Sequence, residues 1–135
     1  MRKLMTALAL ATLVLVGAGS VAAKEKPTGE EQLAQLLEGR VAGAPQTCIS
    51  ISRSNNLQVI DRTALVYKDR DTLWVNHATF PDNLSRDDVL VINRLSGMQL
   101  CRLDQVTMND LNSGFFSGVV FLQNFVPYRK VAANK

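Results

Sequence analysis

Two cysteines, one histidine and twelve carboxylates are the side chains of this 135-residue sequence from which acid–base, metal or covalent chemistry could be built. The single histidine, His77, follows the strand-like Trp74-Val75-Asn76. A metal site built on several histidines is therefore excluded, and a cysteine–histidine site needs Cys48 and Cys101 as free thiolates. His77 as a general base would need an orienting acid and a nucleophile within reach. Asp82 and several serines are present, but no spacing ties them together, so His77 reads as a surface residue at a strand end. Asp82, Asp87 and Asp88 could approach one another around a loop and hold calcium. Calcium loops, however, alternate their oxygen ligands around a turning glycine. Asp69-Arg70-Asp71 and Arg86-Asp87-Asp88 each carry an arginine that opposes a cation, and they read as solvated turns. No two of the twelve acids are singled out as a glycosidase pair, no glycine-rich phosphate loop is present, and Asn112-Ser113-Gly114 reads as a turn. The expected sets of catalytic, cofactor-binding and metal-binding residues are all empty. A hydrolase using Asp61, His77 and Asp87 stands as the enzymatic alternative.

The compartment decides how the cysteines are read. Arg2 and Lys3 precede an uncharged apolar run, Leu4 to Val16, and the small, flexible stretch Gly17 to Ala23 follows. That three-part pattern is a cleavable export signal occupying residues 1–23, with the cut between Ala23 and Lys24 and a second choice after Ala22. The apolar run is shorter than the ~20 residues a membrane-spanning helix requires. No cysteine follows it for lipid attachment, and no twin arginine precedes it. A periplasmic or secreted protein is expected, with no membrane span after cleavage. Cleavage removes Arg2 and Lys3 and leaves 13 basic against 12 acidic residues, so the net charge falls from +3 to +1. A nearly neutral chain gives little reason to expect nucleic acid or anionic membrane as a partner.

In an oxidising compartment two cysteines most often pair, and a structural Cys48–Cys101 bridge is the expectation. An intermolecular bridge or a free thiol is the alternative. A redox-active pair would sit as Cys-x-x-Cys at a helix start, whereas these two are far apart in strand-like segments.

The elements that must position these residues begin with one helix. Lys24 to Pro27 is a charged leader, and Thr28-Gly29-Glu30-Glu31 matches a capping box. Leu33, Leu36 and Leu37 follow at helical spacing up to Gly39, which predicts a helix over Gly29 to Glu38. Gly43 and Pro45 mark a linker, closing a leader-and-helix segment over 24–46. From Thr47 the pattern turns to short strands: Thr47–Arg53, Leu57–Lys68 bent near Asp61-Arg62, Thr72–His77, Val89–Arg94, Met98–Leu103, Val106–Met108 and Val119–Val126. Lys68-Asp69-Arg70-Asp71 and Ser96-Gly97 are the turn signals between them. The chain thus reads as mainly β, a small antiparallel barrel or sandwich of about six strands over 47–128, preceded by the helix and followed by a basic tail over 129–135.

Tyr67, Trp74, Phe115, Phe116, Phe121, Phe125 and Tyr128 could form a stacking face for oligonucleotides or glycans, given Trp74 or Tyr67 exposed beside Arg53 or Arg62. The basic residues are spread along the chain, so core positions are the default. Phe115 and Phe116 stand apart, because two adjacent strand residues cannot both face one core.

Cys48-Ile49-Ser50, Val59-Ile60-Asp61 with Thr63, Asn76, Leu100-Cys101-Arg102-Leu103-Asp104 and Phe125-Val126-Pro127-Tyr128 follow in an order that resembles a family of small secreted proteobacterial proteins classed as a domain of unknown function. The resemblance covers about Cys48 to Tyr128 and implies export and a small β-rich fold with the two cysteines opposite each other. Some members carry a further cysteine pair near the positions of Pro81–Leu84 and Gly118, which this chain lacks. The family supplies no activity and no catalytic residues. The expected function is non-enzymatic binding of an envelope protein or a small ligand, without a cofactor.

Overall fold

The computed structural model describes residues 25–52, 56–95 and 97–132. The export signal, its cut at Ala23–Lys24, and Arg53 lie outside the described residues. The chain forms α1 (Gly29–Leu37) and ten strands among the described residues: β1 (Arg40–Ala42), β2 (Cys48–Ser50), β3 (Leu57–Ile60), β4 (Ala64–Asp69), β5 (Thr72–Asn76), β6 (Asp88–Asn93), β7 (Gln99–Cys101), β8 (Gln105–Asp110), β9 (Phe116–Val120) and β10 (Val126–Lys130). A 3-10 turn, Pro81–Asn83, interrupts the connection from β5 to β6. All strand pairs are antiparallel, in a five-stranded sheet β1-β10-β5-β4-β3, a three-stranded sheet β6-β8-β9 and a two-stranded ribbon β2-β7. The fold is mainly β, with sheets layered as in a sandwich. The barrel alternative is not realised, because β1 and β3 end one sheet, β6 and β9 end another, and no sheet closes on itself among the described residues.

The five-stranded sheet is apolar on both faces, and β4 shows why. Ala64, Leu65, Val66 and Tyr67 are all buried, and successive side chains must point opposite ways. Ala64 and Val66 join Ile60, Leu73 and Val75 against Leu33 of α1, with Leu36, Leu37 and Tyr128 at the margin. Leu65 and Tyr67 face the other way, into a cluster with Ile49, Leu100, Val106, Met108, Val120, Leu122 and Phe125. Helix, large sheet and a second β layer thus stack in that order, and α1 covers a face of the sheet rather than an open end.

α1 begins where the capping box places it. The Thr28 amide donates to Glu31 Oε2 at 2.7 Å, and the Glu31 amide donates to Thr28 Oγ1 at 3.3 Å. Its first turn rests on the β3–β4 turn, and Gly29 makes that approach possible. A Cβ there would sit 2.1 Å from Thr63 Oγ1 and 2.3 Å from the backbone oxygen of Asp61. Gly29→Ala gains up to ~1 kcal/mol of helix propensity, yet overpacking against a backbone carbonyl costs about 1–3 kcal/mol. A net loss of stability in urea unfolding is expected, and an unchanged or raised midpoint would show that α1 does not dock here.

Strand number and several boundaries differ from the expectation: ten short strands stand among the described residues in place of about six, and Leu57–Lys68 is two of them, β3 and β4, paired antiparallel across the reversal at residues 61–63. The leader-and-helix segment, 24–46, also contains a strand between the helix and the Gly43–Pro45 linker: β1, whose Arg40, Val41 and Ala42 pair with Lys130, Arg129 and Tyr128. The basic tail accordingly starts inside β10, and the Arg40 guanidinium donates to the Asp71 carbonyl at 2.6 Å. Leader segment and β region are therefore parts of one sheet. The strand read over Val119–Val126 is instead the end of β9, an irregular crossing at 121–124, and the start of β10.

Candidate functional site

Cys48 and Cys101 occupy directly paired positions of β2 and β7 and form a disulfide. The buried Asp104 carboxylate steadies this ribbon, accepting from the Cys101 amide at 2.7 Å and from the Leu95 amide at 3.0 Å. The bridge is structural in its setting, since both neighbours of the pair along the strands, Ile49 and Leu100, belong to the core.

The residues of the hydrolase alternative are only partly gathered. Asp61 and Asp87 line one open groove with Arg62, Arg86 and the leader residues Lys26 and Pro27, but His77 is not among its walls. Asp61 is occupied: one carboxylate oxygen accepts from the Arg86 backbone amide at 2.6 Å, and the other pairs with the Arg86 guanidinium. The same guanidinium donates to Gln32 Oε1 at 3.2 Å, tying α1, the β3–β4 turn and the approach to β6 together. A carboxylate so engaged acts as a brace between elements, with each oxygen already holding one partner. His77 is exposed at the end of β5. Asp82 makes an ion pair with Arg62 at 3.8 Å, with both side chains at least three-quarters exposed, a geometry that contributes little. Among the described residues no three histidine, cysteine or acidic side chains gather at one point.

The aromatic residues separate into two groups. Tyr67 and Phe125 are buried, with the Tyr67 hydroxyl accepting from the Ser52 amide at 3.2 Å. Trp74 is half-buried against the same core. Of the two rings on which a nucleotide- or glycan-stacking face would rest, Tyr67 is thus inside and Trp74 only half-exposed. Phe80, Phe115, Phe116 and Phe121 are instead exposed, and Phe80 and Phe121 meet edge to face at 6.1 Å.

The three-stranded sheet explains this exposure. Its inner face contributes Leu90 and Ile92 of β6, Val106 and Met108 of β8, and Val120 of β9 to the core. Its outer face carries Val89 and Val91 on β6, opposite Asn109 and Thr107 on β8, which lie opposite Phe116 and Val119 on β9. Phe121 extends that row beyond β9. Val89, Val91, Phe116 and Phe121 are each more than two-fifths exposed. Phe80 meets Phe121 at the end of this face. At its tip, Asp110 holds the β8–β9 loop, accepting from the Asn112 and Ser113 amides and the Ser113 hydroxyl. The hydrogen bonds from Ser113 hold the Asp110 carboxyl below its ordinary pKa.

Sequence alone singles out Phe115 and Phe116 and counts Phe121 among the aromatics of a possible stacking face, but gives no notice of Val89, Val91 or Phe80. The usable signal was the unbroken run Val89-Leu90-Val91-Ile92, which is apolar on both faces of a strand in an antiparallel protein. Either both faces are covered or one is left bare, and here α1 already covers another sheet. Comparison with protein-family models, with curated proteins and with solved structures finds no match.

Proposed function

We propose that this chain is a small exported β domain without enzymatic activity that binds a partner protein in the cell envelope through the outer face of the β6-β8-β9 sheet. The observation that carries the reading is the row of exposed apolar side chains from Val89 and Val91 across to Phe116 and Phe121. Soluble proteins rarely leave such a face bare unless something covers it in use, and aromatic anchors ringed by polar residues are the usual energetic centre of a protein interface. Its shape favours a protein over a small ligand, because the row runs across an open sheet surface and meets an open groove only at its Val119–Phe121 end. Export is supported by the apolar run after Arg2-Lys3 and by the disulfide, which belongs to an oxidising compartment. No helix among the described residues is long and apolar enough to cross a membrane, consistent with a periplasmic or secreted protein.

The double variant Phe116→Ser/Phe121→Ser tests this reading. Both side chains are exposed, so the unfolding midpoint should move by less than the equivalent of about 0.5 kcal/mol. Recovery of a specific partner after crosslinking in the native envelope should fall at least about tenfold, the effect of losing one strong aromatic anchor. Equal recovery by the folded double variant would remove the outer face from consideration.

A further inference from the structure

β6 ends the three-stranded sheet, and no described strand pairs with its free edge. The Leu111 amide donates to the Asp87 carbonyl at 2.9 Å, so odd-numbered residues here point their backbone groups at β8. By alternation, Leu90 and Ile92 point their amides and carbonyls outward. Natural edge strands are usually guarded by lysine, proline, a bulge or a charge in the middle. The middle of β6 is Val89-Leu90-Val91-Ile92, and the charges stand at the two ends, Asp88 and Arg94. Neither is engaged in an ion pair among the described residues. The side chains of Leu90 and Ile92 are half-buried and line an open groove of about 550 Å³, with Leu57 and Val59 of β3 on its other wall.

A second copy of the same edge fits this strand better than a strand of arbitrary sequence. Two identical antiparallel strands related by a two-fold axis keep inward side chains opposite inward ones only when the axis passes through a residue. With the axis at Val91, Asp88 falls opposite Arg94 of the second copy, twice over. Leu90 then falls opposite Ile92, and Val89 opposite Asn93. Moving the axis to Leu90 sets Arg86 against Arg94, and moving it to Ile92 sets Arg94 against Leu90. One register alone satisfies both the charges and the apolar positions. We propose that the chain forms a two-fold dimer by antiparallel pairing of β6 with β6 about Val91, closed at each end by an Asp88–Arg94 ion pair.

The pairing fuses two three-stranded sheets into one of six strands in the order β9-β8-β6-β6-β8-β9. It satisfies the outward backbone groups of Leu90 and Ile92 and lays the second copy's Leu90 and Ile92 over the groove beside Leu57 and Val59. It also joins the two outer apolar faces, though the dimer does not depend on what binds there.

Sedimentation of the exported protein, with charge exchange at the two ends, tests the register. Wild type should be dimeric. Asp88→Arg and Arg94→Asp should each weaken the dimer at least about tenfold, because two attractive pairs become repulsive, and the double exchange should restore it. Val91→Cys should oxidise to a covalent dimer, since the axis brings the two side chains face to face in a close pair. Val89→Cys should not. Unfolding midpoints near that of wild type certify that each variant is folded, and Phe116→Ser/Phe121→Ser should leave the dimer intact. A wild type that stays monomeric at the highest attainable concentration would overturn the proposal. So would a dimer indifferent to both single exchanges, or one crosslinked equally well from Val89→Cys.

Discussion

Reducing the Cys48–Cys101 bridge, or replacing both cysteines by serine, is expected to lower the thermal midpoint by on the order of 20 °C. The two cysteines are 53 residues apart, and closing a loop of that length is worth about 4 kcal/mol in the chain-entropy account. Few domains of this size have more than about 5–15 kcal/mol in total. The local structure makes the dependence sharper still. β2 and β7 form a ribbon of three paired residues, and a two-stranded ribbon alone is marginal in water. Beyond the ladder, the Ile51 amide donates to the Met98 carbonyl and the Arg102 amide to the Thr47 carbonyl. The ribbon nevertheless places Ile49, Ile51 and Leu100 in the core, so loosening it unseats three buried side chains. Thermal unfolding with and without reductant reads the effect, and a midpoint indifferent to reductant would mean that the core alone holds the ribbon.

Asn76→Ala is expected to cost about 3 kcal/mol, far more than its size suggests. Asn76 is fully buried at the end of β5. Its side-chain amide donates to the Gln123 carbonyl at 2.6 Å, and its oxygen accepts from the Gln123 amide at 3.1 Å. The residue thus stands in for a missing strand partner where the chain crosses from β9 to β10. Alanine would remove both partners of the Gln123 backbone and leave a cavity where the fully buried Asn76 side chain stood, so the lost bonds and the lost packing add. Asn76→Asp should be at least as damaging, since it turns the donated bond into a repulsion against the Gln123 carbonyl. Urea unfolding measures the loss, and hydrogen exchange at Gln123 should rise in step. A loss under about 0.5 kcal/mol, typical of an ordinary surface change, would show that the crossing is held elsewhere. The same crossing carries Phe121, whose carbonyl accepts from the Thr79 amide at 2.9 Å, so a folded Asn76 variant should also bind its partner less well.

What could be read from the residues alone divides along physical lines. The helix was legible because its signals are local: a capping box, leucines at helical spacing and Gly39 at a positive φ of 69° just past its end. The β4–β5 hairpin was legible from charged residues between two apolar runs. The β3–β4 turn was not, and Leu57–Lys68 read as one bent strand. The residue that makes the reversal is Arg62 at φ 54°, and an arginine in the left-handed region leaves no glycine or asparagine as a marker. β1 was hidden for a different reason. Three residues carry no period, and what makes them a strand is pairing with Tyr128, Arg129 and Lys130 almost ninety positions away. The run from Val119 to Val126 carries only Gln123-Asn124 as a polar interruption and no glycine or proline, and it is broken by partners distant in sequence, Asn76 on Gln123 and Thr79 on Phe121.

The site divides in the same way. The disulfide could be reasoned from compartment and count, and the structure places the two cysteines opposite each other. The engaged state of Asp61 could not, because Arg86 lies 25 positions along the chain. The suspicion attached to Phe116 came from strand geometry, and Phe116 is indeed exposed. Its companions Val89 and Val91 belong to another strand, and only the β6-β8-β9 register puts them in one row.

The most direct test of partner binding through the β6-β8-β9 face is a photo-crosslinking amino acid placed at single positions in the protein within its native envelope. Phe116 and Phe121 lie on that face, and Gln35 is exposed on α1, beyond the opposite face of the large sheet. Adducts of one discrete size from positions 116 and 121, and none from position 35, are the predicted result. Adducts from position 35 alone, or none from any position in well-expressed folded protein, would contradict it.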